Sequence, residues 1–130
     1  MSYKNIDQKR KYAREYAKRT YKDKCLRRLE IHKKWRDKIK AQVISHYSNG
    51  KMNCACCGEN TREFLTVDHI NNDGTKQRKL FTGGGHHNYR FIIKNKFPVG
   101  YQILCYNCNC GRARTKDKIC PHKLNEKNKN

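Results

Sequence analysis

From Tyr3 to Tyr47 the chain contains neither Gly nor Pro, and Lys, Arg, Glu, Gln, Ala and Leu dominate it. These residues lose little freedom in a helix, so the segment predicts one long helix or two in series. Trp35, Ile39, Val43 and Tyr47 recur every four residues, and Leu26 with Leu29 carries the apolar stripe further back. Such a face is expected to pack on something. Tyr12 and Tyr16 are the main apolar positions before residue 22. Ser48-Asn49-Gly50 then supplies the turn chemistry that ends a helix.

Beyond that turn the pattern shortens. Asn53 to Gly58 reads as a tight turn rich in cysteine, and Phe64-Leu65-Thr66-Val67 as a short strand running into Asp68-His69. Residues 71–85 read as loop, with Asp73-Gly74 and three consecutive glycines at 83–85. Tyr89, Ile92, Ile93 and Phe97 fit one helix face, which Pro98 and Gly100 close. Tyr101-Gln102-Ile103-Leu104 predicts a second strand leading into Cys105. From Leu124 onward Lys and Asn dominate, which predicts a disordered tail. The fold class expected is α+β: a helical arm over 1–48, a small domain over 49–123 interrupted by 73–98, and a tail over 124–130.

Composition then sets the stakes. With 130 residues, of which 35% are hydrophobic, the chain has little material for a large core, and a staple is expected. The net charge is +20. Residues 1–48 hold 16 Lys/Arg against 5 Asp/Glu, a balance of +11, and the remainder carries +9. A folded chain gains nothing from so much self-repulsion, so a polyanion is the expected partner: DNA first, RNA second. Residues 1–22 would then be an arm that orders on a nucleic-acid backbone. A zipper-type basic helix is disfavoured, because the apolar repeat is too short for a coiled coil. The basic N-terminal region has no apolar run suited to export. Nor does any stretch reach the roughly 20 apolar residues of a membrane span. The expected location is cytoplasmic, nucleoid or nuclear, not secreted, with no membrane partner.

Reduced thiols are expected in such a compartment, which turns the eight cysteines towards metal. Cys54-x-x-Cys57-Gly58 and Cys105-x-x-Cys108 each bring two thiolates to one side of a turn. Together they complete a tetrahedral four-cysteine zinc site. Four thiolates leave no open position for water, so this zinc is structural. Cys110, Cys120 and His122 remain, either as part of a second zinc site with Cys25 or Cys56, or as a pin for the C-terminal segment. His86 and His87, after the three glycines, read as a flexible polar loop.

Chemistry therefore has to come from elsewhere. Asp68 and His69 are adjacent at a strand end and leave opposite faces of the backbone, so one can hold a metal while the other reaches water. Asn109 directly follows Cys108, so the zinc site would fix where its amide points. A carboxylate and an amide oxygen suit a hard ion such as Mg²⁺ that keeps most of its waters, and an imidazole titrates near neutrality and can take a proton from water.

The order of these motifs, C-x-x-C, then LTVDHIN, then LCYNCN, resembles the HNH (ββα-metal) endonuclease superfamily, above all its recombination endonuclease VII-like branch. The resemblance covers about residues 52–114, less 73–98. It implies that Cys54, Cys57, Cys105 and Cys108 hold zinc, that Asp68 and Asn109 hold the catalytic Mg²⁺ or Mn²⁺, and that His69 is the general base. It implies a hydrolase, an endonuclease leaving 5′-phosphate and 3′-hydroxyl ends. The middle Asn of many such motifs, which steadies the histidine, falls near Gly100 here, with Asn71 or Asn72 as substitutes. Arg90, Lys94 and Lys96 on the insertion helix, and Arg112 and Arg114 past Asn109, are the expected phosphate contacts. The competing reading is a non-catalytic zinc module that binds DNA or structured RNA. It needs the charge and the knuckles but not the Asp68, His69 and Asn109 trio.

Overall fold

A computed structural model describes residues 5–80 and 83–127. The first element, α1 (Ile6–Tyr47), is the helix that the absence of Gly and Pro predicts. Asn5 caps its start, its side-chain oxygen accepting from the Asp7 N–H at 2.6 Å. The chain forms two compact units, with the boundary after Asp37.

In the first unit, up to Asp37, α1 is mostly exposed along its length. The Tyr12 and Tyr16 rings stack with centroids 6.3 Å apart, and Arg19 lies 5.8 Å from the Tyr16 centroid, a surface cation–π contact. The apolar stripe expected over Leu26, Leu29 and Trp35 does not continue here as a buried face: these residues are 52%, 62% and 38% exposed.

The second unit begins at Lys38 and contains the core. Ile39, Val43 and Ile44, in the last turns of α1, are buried. Next come β1 (Leu65–His69), α2 (Gly74–Arg78), α3 (Gly85–Lys94), β2 (Tyr101–Cys105), α4 (Tyr106–Arg114) and α5 (Pro121–Lys127). The strands pair antiparallel with Leu65 opposite Cys105, Val67 opposite Ile103 and His69 opposite Tyr101. Alternation puts Leu65 and Val67 into the core with Ile92 and Ile103, the β-branched residues filling the pleat. The unit is a two-stranded sheet flanked by helices, hence α+β.

Three elements depart from the sequence reading. A short helix, α2, lies within the stretch expected to be loop, and is too short to declare itself by periodicity. The tail expected to be disordered from Leu124 is helical through Lys127 as part of α5, because Cys120 is buried and anchors its start. Residues 128–130 lie outside those described. The junction between α3 and β2 turns through two left-handed residues, Lys96 and Phe97, with φ of 55° and 56°. Phe97 is held there by stacking on His46 at 4.2 Å, while the Tyr47 hydroxyl donates to the Pro98 carbonyl at 2.6 Å. Burial, and then the nearby Tyr101, pushes the Tyr47 phenol up to about 12, so it keeps the proton it donates. No helix among the described residues is long and apolar enough to cross a membrane.

Candidate functional site

Each cysteine turn is closed by a backbone N–H that donates to its first sulfur. The Cys54 sulfur accepts from the Cys56 N–H at 3.4 Å, and the Cys105 sulfur accepts from the Cys108 N–H at 3.4 Å, so Cys105 also caps α4. Ala55 N–H donates to the Ile103 carbonyl at 2.8 Å, docking the first turn on β2 beside the second. As a result, the ligand atoms of Cys54, Cys57, Cys105 and Cys108 all lie within 4.8 Å of one another, and Cys57 and Cys105 sulfurs are 3.7 Å apart. This is a cysteine cluster that can hold a metal ion such as zinc. Burial pushes the Cys108 thiol up, and the thiols of Cys105, Cys57, Cys120 and Cys54 add to the effect. Cys54 moves the other way, to about 7: burial raises it, but the backbone N–H groups of Cys57, Cys105 and Cys56 prevail. A crowd of thiols of this kind ionises together only when a cation shares the charge.

A second group comprises Cys56, Cys108, Cys120 and His122, again within 4.8 Å of one another. Of the residues left over in the sequence, Cys110 is exposed and belongs to neither group, and Cys25 lies on α1 in the first unit. Among the described residues, neither group includes His86 or His87.

At the end of β1, Asp68 and His69 face different neighbours, as strand alternation requires. Asp68 meets its cross-strand partner Gln102, whose Nε2 donates to Oδ2 at 2.8 Å. The Arg112 guanidinium, from α4, forms an ion pair with the same Oδ2, each side chain being 13% exposed. Arg112 also donates to the carbonyls of His69 at 2.9 Å, Lys118 at 2.8 Å and Ile70. The guanidinium expected to meet phosphate thus ties α4 to the end of β1. Asn109 is half-buried in α4, one residue after Cys108.

His69 turns towards α2. Its Nε2 meets the Gln77 Oε1, and the Gln77 Nε2 donates to the Tyr101 hydroxyl. The Gln77 amide thus bridges the imidazole and the Tyr101 hydroxyl. Gly74 packs against the ring, and a Cβ there would lie 2.9 Å from Nδ1. A cleft of ≈ 470 Å³ opens beside His69, lined among others by Asp73, Lys76, Gln77 and Tyr101. Gly100 gives the histidine no side chain, and Asn71 and Asn72 are exposed. The side chain that meets the His69 ring is Gln77, which the sequence reading did not single out.

Arg90, Lys94 and Lys96 are exposed on and after α3, and Arg114 is exposed on α4. No family model matches the chain, nor does any curated protein or solved structure.

Proposed function

We propose that the chain is a metal-dependent endonuclease of the HNH type that hydrolyses DNA phosphodiester bonds, with a structural zinc at Cys54, Cys57, Cys105 and Cys108. The observation that carries this reading is a single arrangement. Asp68 and His69 end a strand whose partner runs directly into the helix bearing Asn109, and the cysteine cluster ties that helix in place.

Asp68 and Asn109 would hold a divalent ion, Mg²⁺ or Mn²⁺. Both donors to Asp68 converge on Oδ2, and its Oδ1 together with the Asn109 amide oxygen would make a hard donor set, which suits such an ion. When bound, the ion supplies Lewis-acid stabilisation of the charge that develops on phosphate and leaving oxygen. His69, with its Nε2 proton held by Gln77, takes a proton from the attacking water at Nδ1. Gln77 is a positioning residue: it fixes the tautomer and orientation of the imidazole and touches no substrate. Arg90, Lys94 and Arg114 place positive charge where a nucleic-acid backbone would lie.

The reading is tested by incubating the zinc-loaded chain with supercoiled plasmid and Mg²⁺ or Mn²⁺. Nicking that requires the ion is expected; binding without cleavage on varied DNA and RNA substrates would favour the second reading, a non-catalytic nucleic-acid module. The Arg112 ion pair is the observation on that side, since it gives Asp68 a purely structural occupation.

Two smaller effects follow. Gln77→Ala removes one hydrogen bond to His69, worth about 1–1.5 kcal/mol, so single-turnover cleavage should fall about tenfold. Gln77→Glu should restore most of it, because a carboxylate still accepts from Nε2 while the Tyr101 hydroxyl donates instead. Equal losses in both variants would reject the positioning role. Deleting residues 1–37, which leaves the core unit whole, should weaken DNA binding and flatten its dependence on salt, since each phosphate contact adds about 0.9 to the slope. An unchanged slope in a binding titration would exclude the arm from the interface.

A further inference from the structure

The cysteine cluster contains more ligands than one zinc ion can use. Cys54, Cys57, Cys105 and Cys108 form one four-membered group, and Cys56, Cys108, Cys120 and His122 form another, with Cys108 common to both. We infer that the protein binds two zinc ions that share the Cys108 thiolate as a bridging ligand.

The spacing fits two tetrahedra joined at a vertex. Zinc–sulfur bonds of about 2.3 Å place neighbouring sulfurs of a tetrahedron about 3.8 Å apart, and a sulfur and an imidazole nitrogen slightly closer. Cys57 and Cys105 sulfurs are 3.7 Å apart. On the other side of the shared sulfur, His122 Nδ1 lies 3.4 Å from the Cys108 sulfur and 3.6 Å from that of Cys120. Cys108 is fully buried, as a sulfur enclosed between two ions would be. Cys56 and Cys57 are consecutive and fall into different groups, so the first cysteine turn straddles the pair.

Charge favours sharing over separation. The first ion and its four thiolates carry a net charge of −2. Adding a second Zn²⁺ with the thiolates of Cys56 and Cys120 and a neutral His122 adds no charge at all. A separate site with its own third thiolate would bury one more negative charge.

The chain also brings Cys120 and His122 into place through contacts outside the first group. The turn between α4 and α5 is tied by the Thr115 hydroxyl donating to the Ile119 carbonyl at 2.7 Å and by Arg112 Nε donating to the Lys118 carbonyl at 2.8 Å. Gly111 lets Pro121 approach α4 so closely that a Cβ at position 111 would meet the proline Cδ at 2.9 Å. That contact seats Cys120, 5% exposed, beside the cluster near the end of the chain.

This inference rests on the proposed zinc reading and not on cleavage, so its test counts metal. Native mass spectrometry of the full chain, refolded with excess zinc, should give two ions per chain. The Cys56→Ser, Cys120→Ser double variant should retain one ion and the circular dichroism of the folded unit. Cadmium-loaded protein should give two cadmium resonances split by coupling through the shared sulfur. One zinc in the wild type would overturn the inference while leaving the single-zinc reading intact; no zinc would remove both. Two cadmium signals without mutual coupling would show separate sites and overturn the bridge.

Discussion

Exchange of Cys105 for serine is expected to cost the unit from Lys38 onward its fold. The residue is 4% exposed, is one of the four ligands of the first group, and accepts the hydrogen bond that caps α4. Structural zinc contributes on the order of 10–16 kcal/mol in small domains, whereas a whole domain is commonly stable by about 5–15. The core here is a two-stranded sheet and a few aliphatic side chains, among them Leu65, Ile92 and Ile103. Loss of the metal therefore exceeds anything the remaining packing can offset. Thermal unfolding followed by near-ultraviolet circular dichroism should show a cooperative transition in the wild type. It should show none in Cys105→Ser or after a chelator has removed the metal. A metal-stripped chain, verified as such by elemental analysis, that still melted cooperatively at the same temperature would defeat the zinc reading.

His69→Ala is expected to lower metal-dependent plasmid nicking by about 10²–10⁴-fold, the usual contribution of a positioned general base. That corresponds to about 3–5 kcal/mol of transition-state stabilisation. The imidazole is half-buried at the end of β1, tilted against the Tyr101 ring with centroids 4.9 Å apart and in contact with Gln77, so its removal opens a small space but unpairs no buried charge. Zinc content, melting temperature and DNA affinity should stay close to wild type. Equal nicking by both proteins would mean that the activity comes from another residue or from a contaminant, and the proposed base would be lost.

How much of this was legible in the sequence depends on how local each cause is. The four-cysteine group was legible because C-x-x-C is a property of one turn, and β2 needed only to be adjacent. The paired strands were legible from Leu65, Val67, Ile103 and Leu104. Gln77 was not, because its partner is eight residues away across a helix of five, too short to leave a period. The second ligand group was half legible: Cys120 and His122 were singled out, but only the return of α5 onto α4 selects Cys56 and excludes Cys110. Arg112 was legible as a basic residue past Asn109 but not as the partner of Asp68, because the end of β1 and the Lys118 carbonyl reach its guanidinium only through the tertiary fold.

The stretch 73–98 carries a consequence for how such a chain could change over generations. At one end Gly74 and Gln77 embrace His69; at the other, Phe97 and Pro98 are gripped by His46 and Tyr47. Loss of the first end would take away the histidine's brace, loss of the other the buttress of the second strand, and Ile92 between them is fully buried. Lineages descending from this chain are thus free to vary exposed positions such as Lys79 and Lys94, but can give up Gln77 only after another residue has taken over the hold on His69.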